Sequence, residues 1–180
     1  MSATAKMPYF IRPSQNLSGE QKKEAYEQAL EAIALNLATE NNLIVKMSTI
    51  NSLLKTFLSY YYWVGFYLVD DGRLLIGPYQ GTLGCLYIDF ERGVCGKAAR
   101  EKQTQIVGDV HTLSRTAHIA CDPNSASEIV VPVMDKDENL IAVLDVDSTM
   151  TDSFDAIDQH YLEQLVNVHF GQTSLKKQYD

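Results

Sequence analysis

The chain is poor in cysteine. Only Cys85, Cys95 and Cys121 occur in 180 residues, at spacings of 10 and 26. No two fall within the short two-to-four-residue intervals that zinc sites use, so no zinc site is expected. Excess positive charge is also lacking: 15 Lys and Arg stand against 23 Asp and Glu, a net charge of -8 and a pI near 4.9. That balance argues against a nucleic-acid partner, whose binding depends on neutralising phosphates. No apolar run approaches the 18 or so residues needed to cross a bilayer, so no membrane partner is expected. The first residues, MSATAKMPYFIRPSQN, contain no apolar core of a secretory signal. There is no repeat, low-complexity tract or linker. These absences predict a cytoplasmic globular protein whose thiols stay reduced unless they perform redox work.

A hydrophobic fraction of 46% and a charged fraction of 21% suit one domain with a substantial core. Residues 1–17, with Pro8 and Pro13, read as an irregular arm, and 18–180 as a single domain. Ser18 and Gln21 have capping-box spacing, followed by Tyr26, Leu30, Ile33 and Leu37 at helical intervals to about Thr39. A second helix carries Leu43, Met47, Ile50, Leu54 and Phe57. From Tyr60 the run SYYYWVGFYLV favours a strand, Asp71-Gly72 a hairpin turn, and Arg73–Gly77 the returning strand. Cys85–Phe90 alternates as a strand, Lys97–Lys102 suggests a short helix and Gln105–Val107 a brief strand. Residues 108–127 show little pattern, as functional loops often do. Two strands follow, Glu128–Met134 and Leu140–Asp147, with Pro132 marking an edge or bulge. A last helix from about Asp155 would bury Ile157, Tyr161, Leu165 and Val168. The fold class is therefore α+β. A largely antiparallel sheet of about six strands would carry long helices on one face, and a short helix and long loop over a pocket on the other.

Strand parity selects the chemistry. Trp63 and Tyr67 share a face with Gly65 between them, which leaves room for a small apolar group; ordinary core packing is the plainer reading. Asp145 and Asp147 also share a face, and such a pair raises at least one pKa if water is excluded. Glu128 opens the neighbouring strand and adds a third carboxylate. Cys95 precedes a helix, whose dipole would lower its pKa, while Cys121 has His118 as a proton partner. Any one of these cysteines taken alone reads more readily as a small buried hydrophobe; the case for function rests on the three together.

The motifs WVGFYL, GPYQG, GVCGKAA, DV…HIACD, SEIVVPV and LDVDS resemble those of the free methionine-(R)-sulfoxide reductases, small enzymes built on a GAF domain. The resemblance spans roughly residues 20–170. It implies reduction of free L-methionine (R)-S-oxide to methionine, with external thioredoxin as reductant and no resident cofactor or metal. By motif, Cys121 matches the catalytic cysteine, and Cys95 and Cys85 are the resolving candidates. A thiolate attacking the sulfoxide sulfur needs an acid for the oxygen, which Asp145, Asp147 or Glu128 supplies. The resulting sulfenic acid condenses with a second cysteine to a disulfide, which thiol–disulfide exchange resets. The carboxylates would also hold the substrate ammonium, and Trp63 and Tyr67 its methyl group. Family habit adds a homodimer through the N-terminal helices. The Cys95–Cys121 interval is slightly longer than the family pattern, with the slack in residues 112–116. Two other readings remain: a GAF sensor that binds a ligand without chemistry, and a redox-sensing or metal-binding protein using the three cysteines and His118.

Overall fold

The computed structural model describes residues 13, 15–113 and 122–173. Helices α1 (Gly19–Leu37) and α2 (Leu43–Phe57) lead into strands β1 (Trp63–Asp70), β2 (Arg73–Gln80) and β3 (Tyr87–Asp89). Helix α3 (Gly93–Glu101), strand β4 (Gln105–Val107) and a 3-10 turn at Val110–Thr112 follow. Strands β5 (Ser127–Met134) and β6 (Leu140–Ser148) and helix α4 (Ala156–Phe170) complete the order. The six strands form one sheet in the order β3-β2-β1-β6-β5-β4, and every pairing is antiparallel. This is the α+β arrangement expected from the sequence.

Local signals account for several boundaries. Ser18 accepts from Gln21 N–H while the Gln21 side chain accepts from Ser18 N–H, closing the capping box. Asn42 caps α2 by accepting from Ile44 and Val45 N–H. Asp71 and Gly72 both take positive φ, 45° and 82°, the twist that a tight two-residue hairpin requires. Pro132 lies where β4 has ended its pairing with β5 at Val130, so its missing N–H costs no ladder bond on that side.

The pleat sends alternate residues to two cores. Val64 and Phe66, Ile129, Val131 and Val133, and Ala142, Leu144 and Val146 pack with α1, α2 and α4. Trp63 and Tyr67, Val130 and Val143 face the opposite side, beneath α3. Among the described residues no helix is long and apolar enough to cross a membrane.

Three local expectations are corrected. The Cys85–Phe90 strand shrinks to Tyr87–Asp89, because this sheet edge pairs only with Arg73–Leu75; Leu86 is exposed and only Ile88 is buried. The short helix starts at Gly93 rather than Lys97, which places Cys95 inside its first turn. The buried stripe of α4 is Asp158, Leu162, Leu165, Val166 and Phe170, with Val168 exposed. That helix is turned to bring Asp158 onto Lys22 of α1 at 2.6 Å, a buried pair that apolar periodicity does not reveal.

Candidate active site

The sheet face under α3 places the selected side chains in two rows. Trp63 pairs with Asp147, and Asp147 with Glu128, so an indole and two carboxylates line up across β1, β6 and β5. In the next row Gly65 pairs with Asp145 and Asp145 with Val130, which leaves Asp145 between a missing side chain and a valine. Trp63 stacks on Tyr67 at 5.8 Å and on Tyr79 at 5.4 Å between ring centroids. The indole N–H donates to Thr82 O at 3.0 Å, which fixes the ring as the wall of a pocket. Trp63, Tyr67, Cys95, Glu128, Asp145 and Asp147 all line that pocket.

Cys95 reaches it from the first turn of α3. Its Sγ lies 4.0 Å from Glu128 Oε1, and it also hydrogen-bonds Asp145. The expected acidic thiol is not found. Burial and the facing Asp145 and Glu128 carboxylates push its pKa well above the ordinary value, because a thiolate there would be desolvated and beside like charge. These local effects outweigh one turn of helix dipole.

The carboxylates repel one another in the same way. Burial, followed by the charges of Asp145 and Asp147, raises Glu128; burial and Asp147 raise Asp145. Burial lifts Asp147 to about 7, against a hydrogen bond from Ser125. Asp145 Oδ1 is buried and accepts no hydrogen bond. The site thus stores protons and offers an unsatisfied acceptor, a setting that favours a cationic hydrogen-bond donor. Cys95, Glu128 and Asp145 also bring one ligand atom each within 4.8 Å of one another, the grouping among the described residues that is suited to a cation.

Six of the eight residues selected from sequence therefore meet at one pocket. Cys85 is half-buried on the segment between β2 and β3 and is disulfide-bonded, whereas Cys95 is free. Cys121 and His118 lie outside the described residues. Sequence reasoning missed Asp122 and Ser125, which also line the pocket. Asp122 had a signal, its place directly after Cys121 in HIACD; Ser125 had none.

A six-stranded antiparallel sheet with long helices on one face and a roofed pocket on the other is the architecture of a GAF domain, and residues 49–168 match the GAF domain family. Free methionine-R-sulfoxide reductase of Escherichia coli is 39% identical over 145 residues, covering 81% of this chain and 86% of that one. The structure of fRMsr of Staphylococcus aureus in its reduced form is 41% identical and covers 83% of this chain and 95% of that one, with a TM-score of 0.77. Free methionine-R-sulfoxide reductase from Neisseria meningitidis, solved in complex with its substrate, is 36% identical, covers 88% and 93%, and has a TM-score of 0.77. The chain belongs to the free methionine-R-sulfoxide reductase family of GAF-domain oxidoreductases.

Proposed function

We propose that this chain reduces free L-methionine (R)-S-oxide to methionine through a cysteine sulfenic acid and a disulfide, and that thioredoxin restores it. The observation that carries the reading is the pocket itself, where stacked aromatic rings meet three proton-holding carboxylates. The ammonium group of a free amino acid restores charge to Glu128, Asp145 and Asp147 and fills the open acceptor on Asp145. A peptide-bound methionine has no such group and is excluded. The S-methyl group lies against Trp63 and Tyr67.

Cys121 attacks the sulfoxide sulfur. The S–O oxygen passes to the cysteine with the proton held by the carboxylate set, giving methionine and a sulfenic acid. The substrate sulfur gains two electrons and the cysteine loses them. Cys85 then attacks the sulfenic sulfur, forming the disulfide and releasing water. Its disulfide-bonded state, with Cys95 a free buried thiol among carboxylates, supports Cys85 as the resolving residue. Cys95 serves the pocket, where its high pKa keeps it a hydrogen-bond donor to Glu128 and Asp145. Exchange with thioredoxin regenerates both thiols, a cycle suited to a reducing cytoplasm.

The test is NADPH consumption with thioredoxin and its reductase, supplying R and S epimers of free methionine sulfoxide separately. Turnover of the R epimer alone, abolished in Cys121→Ser, is expected. Turnover that survives Cys121→Ser but fails in Cys95→Ser keeps the reaction and reverses the roles. No turnover of either epimer leaves a ligand-binding GAF domain.

A further inference from the structure

Asp122 receives a hydrogen bond for each lone-pair direction of its carboxylate. Oδ2 accepts from the Tyr62 hydroxyl at 2.9 Å and from the Thr82 hydroxyl. Oδ1 accepts from Asn124 N–H at 2.8 Å and from the Asn124 side-chain amide at 2.7 Å. The donors come from three different parts of the chain. Tyr62 leads into β1, and its N–H donates to Asp147 O at 2.8 Å, so it is anchored to the carboxylate strand. Thr82 lies three residues before Cys85, and its carbonyl holds the Trp63 indole. Asp122 itself directly follows Cys121 in sequence.

We infer that Asp122 is a positioning residue for disulfide formation: through Thr82 and Tyr62 it fastens the chain next to Cys121 to the segment that carries Cys85. The inference rests on the proposed reaction and assigns its second step a device of its own. In that step the Cys85 sulfur displaces oxygen from the Cys121 sulfenic acid; one S–S bond forms, one S–O bond breaks and water leaves, with no outside oxidant. Attack must come in line with the breaking bond, so the two backbone segments have to be held in register. Neighbouring Cα atoms are only about 3.8 Å apart, and three residues of chain reach about 10 Å, so the Thr82–Asp122 bond joins the chain at positions one and three residues from the two cysteines. Burial works against an ionised Asp122, but the bonds from Thr82, Asn124 and Tyr62 outweigh it and hold its pKa below the usual value. It therefore keeps its charge while Asp147, across the pocket, holds a proton to about 7. A carboxylate with every acceptor direction occupied is unsuited to proton transfer and well suited to joining segments.

The experiment is a single turnover. Fully reduced protein is mixed with one equivalent of free methionine R-sulfoxide without reductant, then quenched over time. Methionine, dimedone-trapped sulfenic acid and remaining thiols are quantified for wild type, Thr82→Val, Tyr62→Phe and Thr82→Ser. In Thr82→Val and Tyr62→Phe, methionine should appear at the wild-type rate. Disulfide formation should slow roughly tenfold, the factor expected for loss of one hydrogen bond to a charged group, and the dimedone adduct should accumulate. Thr82→Ser, which keeps the hydroxyl, should restore disulfide formation. Wild-type disulfide rates in both Thr82→Val and Tyr62→Phe would overturn the inference. So would an equal slowing of methionine release and disulfide formation, since that marks general damage to the pocket. Failure of the proposed reaction is read separately, as no methionine from wild type.

Discussion

Gly65 on β1 lies directly across from Asp145 on β6, so the strand that carries Trp63 and Tyr67 has no side chain where the buried carboxylate stands. The space over Gly65 is taken by the Trp63 ring and Tyr79, not left for a small apolar group as the sequence suggests. A Cβ at residue 65 would approach Trp63 Cη2 to 2.5 Å and would overlap Tyr79 Cβ. Gly65→Ala is therefore expected to cost about 1–3 kcal/mol through overpacking and to displace the Trp63 ring. Urea denaturation gives the cost, and near-ultraviolet circular dichroism reports the ring; an unchanged aromatic signal would count against Trp63 as a fixed wall.

Trp63 is the only tryptophan in the chain, so its fluorescence reports the pocket alone. Titrating free methionine R-sulfoxide into Cys121→Ser should give a saturable change in emission. Asp145→Asn should weaken that binding by about tenfold or more, because it removes a charged acceptor from the ammonium site. A peptide-bound methionine sulfoxide should leave the emission unchanged.

The raised Asp147 pKa makes stability depend on pH in a defined direction. In the folded protein the group binds its proton up to about 7, and the unfolded chain releases it near 3.8. Between those values the native state holds more protons, so stability falls as pH rises. The contribution of Asp147 is fully present below 3.8 and lost as pH passes about 7. Asp147→Asn should flatten this part of the profile, and chemical denaturation from pH 4 to pH 8 would measure it. A profile that keeps its wild-type slope would refute the buried-acid account of this residue.

On the opposite face, Lys22 Nζ donates to Asp158 Oδ2 at 2.6 Å, and Asp158 Oδ1 accepts from Tyr26 at 2.8 Å and from Tyr60. Lys22 and Asp158 are both buried, with 3% and 0% of their side-chain surface exposed. Lys22→Met leaves the carboxylate without its cation and should cost about 3–5 kcal/mol. The midpoint of urea unfolding should drop, while folded protein should still bind substrate, since the pair lies away from the pocket face. A loss below about 1 kcal/mol would show that the Tyr26 and Tyr60 hydroxyls already satisfy Asp158.

The sequence by itself determined the faces. Period-two alternation put Trp63 and Tyr67 on one face of their strand and put Asp145 and Asp147 opposite Ala142, Leu144 and Val146 on theirs, and the capping box of Ser18 and Gln21 set the first helix start. Such features follow from residues a few positions apart, where backbone geometry alone decides what shares a side. Tertiary structure decided the rest. Strand order brought Glu128, 17 residues before Asp145 in sequence, into one row with Asp147 and Trp63. Burial then reversed the acidity expected of Cys95, because desolvation and facing carboxylates depend on what packs against a helix and not on its first turn. Asp158 turned α4 away from its apolar stripe for the same reason, a partner 136 residues away on α1. Asp122 gained its meaning only when Tyr62 and Thr82 closed on it. Pairing across that much chain leaves no local period to read, so contacts of this kind emerge only from the folded arrangement.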